Sequence, residues 1–270
     1  QDEFDSLLFP NHSLGYNILG TEDSVKSFTQ KDFINFIAEH LDTSKMVFSV
    51  VGNISFKKAV NRLAPLLSNI PASRSAKKRV PSLTYIPKSN AFHKDISQAN
   101  CALGKPALSI HDPRRYKLHL LNNILGGPSM NSRLNMALRE KHGLVYSIES
   151  VYQAFTDTGF IGIYYGTEEK AAAKARKIVL KEIQRICTRK LGSMQLHMGK
   201  EQAIGQMAMA EENHAGLMLV YGKNLLDKGK IEPLEAIFSS IRSCTAEELL
   251  ELANEIYDID KFSFLTHLPK

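Results

Sequence analysis

Apolar residues recur along this chain with two different periods, and each change of period marks an element. Phe33, Phe36 and Ile37 share one helical face, with Thr29 in the N-cap position and Asp32 three residues on, so a helix is expected there. MVFSVVG (46–52) is a continuous apolar run of strand length and reads as a buried strand. A helix from about Ser55 through Leu67 follows. Pro71, Pro81 and Pro87 then punctuate a polar, basic stretch, PASRSAKKRVPSLTYIPKSNA, which is the best linker candidate.

Beyond it, QANCALG (98–104) reads as a strand, and Asp112-Pro113 opens a helix that runs to Leu125. Gly126-Gly127-Pro128 breaks that helix, and a second runs through Arg139. Two strands around 145–155 and 160–166 are joined by a turn at Thr156-Asp157-Thr158-Gly159. Helices fill most of 168–257, the last opened by a Thr245-x-x-Glu248 capping box, and KFSFLTHL closes the chain as a strand. Paired strands with packed helices predict an α+β fold, a mixed or antiparallel sheet covered by helices. The first segment has too few strands to bury a core of its own, yet a strand as apolar as 46–52 belongs inside a larger sheet. The expected organisation is therefore the tail of one domain over 1–72, a linker over 73–90 and a second domain over 91–270.

Composition changes this picture little. With 270 residues, 43% hydrophobic and 23% charged, the chain has the make-up of a globular protein with a sizeable core. No apolar run approaches the roughly 18 residues of a membrane span, and the opening QDEFD is unlike a signal peptide. The net charge of +6 is dispersed. Its densest runs are Arg74, Lys77, Lys78 and Arg79, and a stripe of Lys170, Lys174, Lys177, Lys181 and Arg185 that helical spacing explains as a solvated face. Neither a nucleic-acid partner nor a membrane is expected. Cys101, Cys187 and Cys244 lie far apart and form no C-x-x-C pair, which fits a reducing compartment such as the cytoplasm.

Candidate chemistry is sparse. FIAEH (36–40) resembles the end of H-x-x-E-H but has Phe36 where the first histidine would stand. His197 with Glu201, and His111 with His119, lack the further ligands that a zinc site needs. The glycines of LGGPSMNS belong neither to a nucleophile elbow nor to a phosphate loop, and a tight turn between helices accounts for them. Arg139 and Tyr146 flank Gly143 at a helix-to-strand corner. A guanidinium there can donate to a carbonyl and a phenol to a developing oxyanion, while the plainer reading is an ordinary corner. Spacing alone favours the plainer reading.

The segment LGGPSMNSRLNMALREKHGLVYSIES (125–150) resembles the second-domain signature of the insulinase and mitochondrial-processing-peptidase type of zinc metallopeptidases. In that signature a glycine-rich loop is followed by Ser-Arg-Leu, Leu-Arg-Glu and Gly-Leu-x-Tyr-Ser. HSLGYNILGTEDSV (12–25) and MVFSVVGNI (46–54) are similar to the back half of the family's first domain. DTGFIGIYYGTEEK (157–170) and the helix around Gly205-Gln206 are similar to the rest of its second domain.

The resemblance implies related α+β domains enclosing a chamber, and cleavage of a peptide or small-protein substrate with one Zn2+. The metal motif, H-x-x-E-H, lies in the front half of the first domain, and nothing in these residues matches it. The chain is thus expected to bind no zinc and to be inactive alone, the motif being supplied by a missing N-terminal domain or a second subunit. Carried over, Arg139 would hold a substrate carbonyl, Tyr146 would stabilise the tetrahedral intermediate, and Gly126 and Gly127 would contact substrate, with Pro128 where a further glycine is common. The alternative is a non-catalytic partner or structural subunit of the same family. Unpaired strand groups at the edge of a truncated first domain would favour a homo-oligomer.

Overall fold

A computed structural model describes residues 1–75, 80 and 84–270. Part of the expected linker, including Lys77, Lys78, Arg79 and Pro81, lies outside the described residues. The chain opens with α1 (Asp2–Leu8), α2 (Glu22–Ser27), α3 (Gln30–His40) and α4 (Phe56–Leu67). Strands β1 (Ser89–Lys94) and β2 (Ala99–Ala107) lead to α5 (Arg115–Gly126), a π-helical turn (Asn135–Glu140), β3 (Val145–Ala154) and β4 (Gly159–Thr167). There follow α6 (Glu169–Thr188), α7 (Ser193–Ala210), α8 (His214–Lys228), α9 (Leu234–Arg242), α10 (Ala246–Ile256) and β5 (Ser263–Pro269).

The chain divides into two compact units, one of residues 1–18, 81–204 and 235–270, the other of residues 19–80 and 205–234. The first unit is built on a five-stranded mixed sheet in the order β1-β5-β2-β4-β3. Only the β1–β5 pair is parallel; β5–β2, β2–β4 and β4–β3 are antiparallel. Period-two alternation assigns the two faces of β4. Ile161, Ile163 and Tyr165 are buried on the face covered by α5, α6 and α10, while Phe160, Gly162 and Tyr164 turn toward α1. Phe4, Leu8 and Phe9 of the α1 segment close that second face against Phe160 and Leu265. A buried polar knot ties α5 to the sheet. Ser150 Oγ donates to Asn122 Oδ1 at 2.6 Å, Asn122 Nδ2 donates to Ser150 O at 2.8 Å, and Tyr257 Oη donates to Asn122 Oδ1 at 3.3 Å. The knot fills the hydrogen-bonding needs of three buried side chains.

Local rules are followed closely in the second unit. The Asp32 carboxylate accepts the Thr29 N–H at 2.8 Å and the Thr29 hydroxyl at 2.6 Å, opening α3 as its spacing predicts. Ser55 caps α4, and Asn213 caps α8, which ends at Gly229 in the left-handed region. Burial is another matter: among the described residues of this unit only Asp42 is buried.

Three sequence expectations are corrected. The run 46–52 forms no strand; Phe48 and Val50 are exposed, and Ser49 lies beside Gly222 of α8. A strand needs a neighbour for its N–H and C=O groups, and no described segment offers one there. The helix expected from Asp112-Pro113 begins instead at Arg115, because the Asp112 carboxylate accepts the Arg114 N–H at 2.8 Å and holds a turn. Strand β1, starting inside the proline-punctuated stretch, was not foreseen. It exists by pairing with β5, Ser89 against Phe264, a partner far away in sequence.

Candidate functional site

The corner between the π-helical turn and β3 is fixed by its backbone. The Lys141 N–H bonds Met136 O at 3.0 Å, five residues back, which widens the last turn; such π turns are rare and recur at functional positions. Gly143 stands at φ 57°, where a Cβ would be strained. Its N–H donates to Arg139 O at 3.0 Å, Leu144 N–H to Leu138 O at 2.9 Å, and Thr167 Oγ1 to Leu144 O at 2.6 Å. The chain is thereby clamped from the arginine to the start of β3.

Beyond the clamp the β3–β4 register slips. Val145 faces Thr167 and Ile148 faces Tyr165, so β3 carries one residue more than its partner. This bulge falls on Tyr146 and Ser147, and it leaves Tyr146 89% exposed between buried Val145 and Ile148. Bulges re-aim side chains in this way beside binding sites. Arg139 and Tyr146 line one cavity of about 820 Å³, together with Pro128, Asn135, Tyr165 and Cys101. Glu149, Tyr164 and Phe4 line it from the α1 face of the sheet.

Each wall has a structural reason. Asn135 is held by its Nδ2 donating to Ser132 Oγ at 2.9 Å. Among the described residues Arg139 keeps only a loose ion pair, Nε to Glu140 Oε1 at 3.6 Å, and its side chain is part-exposed. Burial pushes the Cys101 and Tyr165 side chains above their usual pKa, so both stay neutral near pH 7. Gly126 and Gly127 sit behind Pro128, both buried. A Cβ on Gly126 would lie 2.8 Å from Ser150 Cβ, and one on Gly127 would lie 2.7 Å from Asn123 O. The smallness of Gly126 lets α5 close against β3, and that of Gly127 lets the chain turn tightly past Asn123 at the end of α5 before Pro128. Arg133, within the Ser-Arg-Leu segment, points elsewhere and pairs with buried Glu182 at 3.3 Å.

The fold brings Arg139 and Tyr146, the pair singled out in the sequence, to one cavity, whose walls also include Asn135, Glu149 and Tyr164, which the sequence did not single out. Glu149 left one available signal, an acid inside an otherwise uncharged strand; the other two look like ordinary helix and strand residues. Among the described residues, no three His, Cys, Asp or Glu side chains converge as a metal ion would require, so the residues present do not fit a zinc site. Among the same residues, no helix is long and apolar enough to cross a membrane.

Over 254 residues the chain is 31% identical to the Bacillus subtilis (strain 168) protein named uncharacterized zinc protease YmxG, covering 93% of this chain and 61% of that protein. A Rickettsia felis protein named uncharacterized zinc protease is 30% identical, with 95% and 61% covered. The chain thus spans about three fifths of the length of these curated relatives. Among solved structures, the peptidase M16 inactive domain from Pseudomonas fluorescens superposes with a TM-score of 0.85 at 19% identity, covering 100% of this chain and 65% of that one. A chain of complex III2 from Candida albicans gives 0.84 at 18%, with 98% and 65% covered. At such identities these two likenesses speak for the fold, and they agree with the α+β reading. Residues 27–202 match the family described as "Peptidase M16 inactive domain", and with that match over more than half its length the chain belongs to the M16 peptidase family.

Proposed function

We propose that this chain supplies the substrate-binding and transition-state groups of a zinc-dependent peptidase whose metal is held by residues outside it. The single observation that carries the reading is the convergence of Arg139 and Tyr146 on one cavity. Arg139, only loosely paired, donates to a substrate carbonyl. Tyr146, turned outward by the bulge, donates its phenolic proton in a hydrogen bond to the oxygen that becomes negative when the carbonyl carbon turns tetrahedral. Gly126 and Gly127 serve substrate binding by bringing the loop at Pro128 to the cavity. In this reading residues 1–72 complete a first domain whose metal-bearing part lies in another segment or subunit, and 91–270 form the second. The exposed apolar positions of the second unit support it, since they have the pattern of a core without its cover.

The test uses the full-length protein. Arg139→Ala and Tyr146→Phe are each expected to lower kcat/KM for peptide hydrolysis by about 100-fold, the scale of losing one oxyanion donor. The 270-residue chain alone is expected to show no chelator-sensitive turnover. Turnover by the chain alone, or full activity in both variants, would overturn the proposal. A second reading, a non-catalytic subunit, draws on the occurrence of this fold in the Candida albicans complex III2 structure. Residues upstream of Gln1 discriminate between the two: an intact H-x-x-E-H favours the peptidase, a degenerate one the subunit.

A further inference from the structure

The π-helical turn also borders a second cavity, of about 860 Å³, that Arg139 does not line. Its walls come from the turn, from Arg133 before it, from α6 and from the start of α7. Buried Glu182 lines this cavity and holds two guanidiniums there. Its Oε2 accepts from Arg133 Nη2 at 3.3 Å and Nε at 3.4 Å, and its Oε1 accepts from Arg185 Nη1 at 2.5 Å. One carboxylate thus fixes two cations and neutralises one of them. Among the described residues, Arg133 Nη1 and Arg185 Nε and Nη2 have no hydrogen bond. Lys141 and Lys181 line the same cavity, exposed, and neither has a hydrogen bond or ion pair among the described residues. The other acid in the lining, Glu140, pairs with Arg139, whose Nε is 3.6 Å away. Four cations therefore face two acids that are already engaged. A cleft of one sign with apolar surface in its wall focuses its field and concentrates anions.

We propose that this cavity is a binding site for a phosphate group, either free or carried by a small organic molecule. A phosphate monoester brings close to two negative charges near pH 7 and three acceptor oxygens. Its charge matches the two unpaired ammonium groups, Lys141 and Lys181. The guanidiniums of Arg133 and Arg185, already held in place by Glu182, supply directed N–H donors at little further cost in side-chain order. A carboxylate brings one charge and two oxygens, and leaves one lysine unmatched. Ile178 and Met136, the latter 49% exposed, add apolar surface on which an organic part of the ligand rests. The volume falls within the range of roughly 300–1,000 Å³ typical of small-molecule sites. None of these residues lines the cavity at Arg139 and Tyr146, so the site holds whether or not the chain serves a peptidase.

The experiment titrates full-length protein, treated with chelator so that no metal competes for the anion, in phosphate-free buffer. Inorganic phosphate and phenyl phosphate are the two ligands, and calorimetry reads their binding. Saturable binding at one site is expected. Lys141→Gln and Lys181→Gln should each weaken it about tenfold, the loss of one charge-assisted contact. Both lysines are exposed, so neither change disturbs the core. Lys174→Gln, in the same lysine stripe of α6 but outside the cavity, removes an equal charge and should alter affinity by less than about twofold. Arg139→Ala should likewise leave binding unchanged. Phenyl phosphate binding about tenfold tighter than inorganic phosphate assigns an organic ligand that rests on Ile178 and Met136; equal affinities assign the free anion. The site is overturned if neither ligand saturates, or if Lys174→Gln weakens binding as much as Lys181→Gln does. It is equally overturned if Arg139→Ala abolishes binding, which would move the anion to the other cavity.

Discussion

The two units of this chain obey the same local rules and differ in what those rules achieve. In the first, helix stripes and strand alternation meet one another. Leu118, Leu125, Ile163, Val179 and Ile241 are shut away from solvent, and even the polar Asn122 is paired inside. In the second, α3 carries Phe33, Ile34, Phe36 and Ile37 at helical spacing and well capped, and every one is exposed. Capping and periodicity form a helix from within a dozen residues, whereas burial needs an opposing surface, so a correct pattern does not guarantee a core.

The sharpest way to break this comparison is truncation. Leu118→Ala, at a position with 0% exposure, is expected to cost about 3 kcal/mol, within the range for buried leucines. Phe36→Ala, at 61% exposure, should change stability by less than about 0.5 kcal/mol. Hydrogen exchange of peptides from β2 and β4 reads the first, and of peptides from α3 the second. Equal losses would mean that the second unit has a core after all.

Glycines give a smaller contrast. Gly126→Ala forces a Cβ to within 2.8 Å of Ser150 and 2.9 Å of Leu134, and should destabilise the first unit by about 1–3 kcal/mol. Gly205→Ala, in α7 with open space around it, should stabilise by about 0.5–1 kcal/mol through helix propensity and a less disordered unfolded chain. Thermal unfolding of the two variants should therefore move in opposite directions.

The smallest effect separates two aspartates by pH. Burial, with Asp2 adding to it, raises the Asp5 carboxyl from 3.8 to about 6. The folded state then holds more protons than the unfolded state between about pH 4 and 6, so Asp5 lowers stability as pH rises through that window. Asp5→Asn should gain about 1 kcal/mol at pH 7, after the screening a half-exposed group retains, and nothing at pH 4. Asp42 in the other unit behaves oppositely: the Ser44 hydroxyl, then Lys45, holds it down to about 2. Its contribution is present above pH 4 and lost as pH falls toward 2, so Asp42→Asn should destabilise at pH 7 and converge with the parent in acid. Denaturation midpoints at pH 4 and 7 decide both cases.

The ordered signature from Leu125 to Ser150 pointed to the candidate site, and the residues that line its cavity divide by how they are placed. Gly143 was legible because a residue stopping a helix before a strand needs the left-handed region. Arg139 and Tyr146 were legible as a pair through family resemblance, though their spacing alone read as a plain corner. Asn135 and Tyr164 were not legible, since nothing local distinguishes a helix asparagine or strand tyrosine that faces a cavity. Glu182 is similar: a glutamate amid a lysine-rich stripe looks solvated until Arg133 arrives beside it.

The sequence by itself determined the capped helices, the strands β2 to β5, the turn at Gly143 and the family to which the chain belongs. These depend on side-chain period, cap chemistry and backbone preference, all set within a few residues. Only the tertiary structure decided that β1 pairs with β5, that residues 46–52 form no strand, that a bulge turns Tyr146 outward and that Arg133 joins Arg185 on the Glu182 carboxylate. Each of those depends on which distant groups come within hydrogen-bond or ion-pair reach, and no local stretch of chain carries that information.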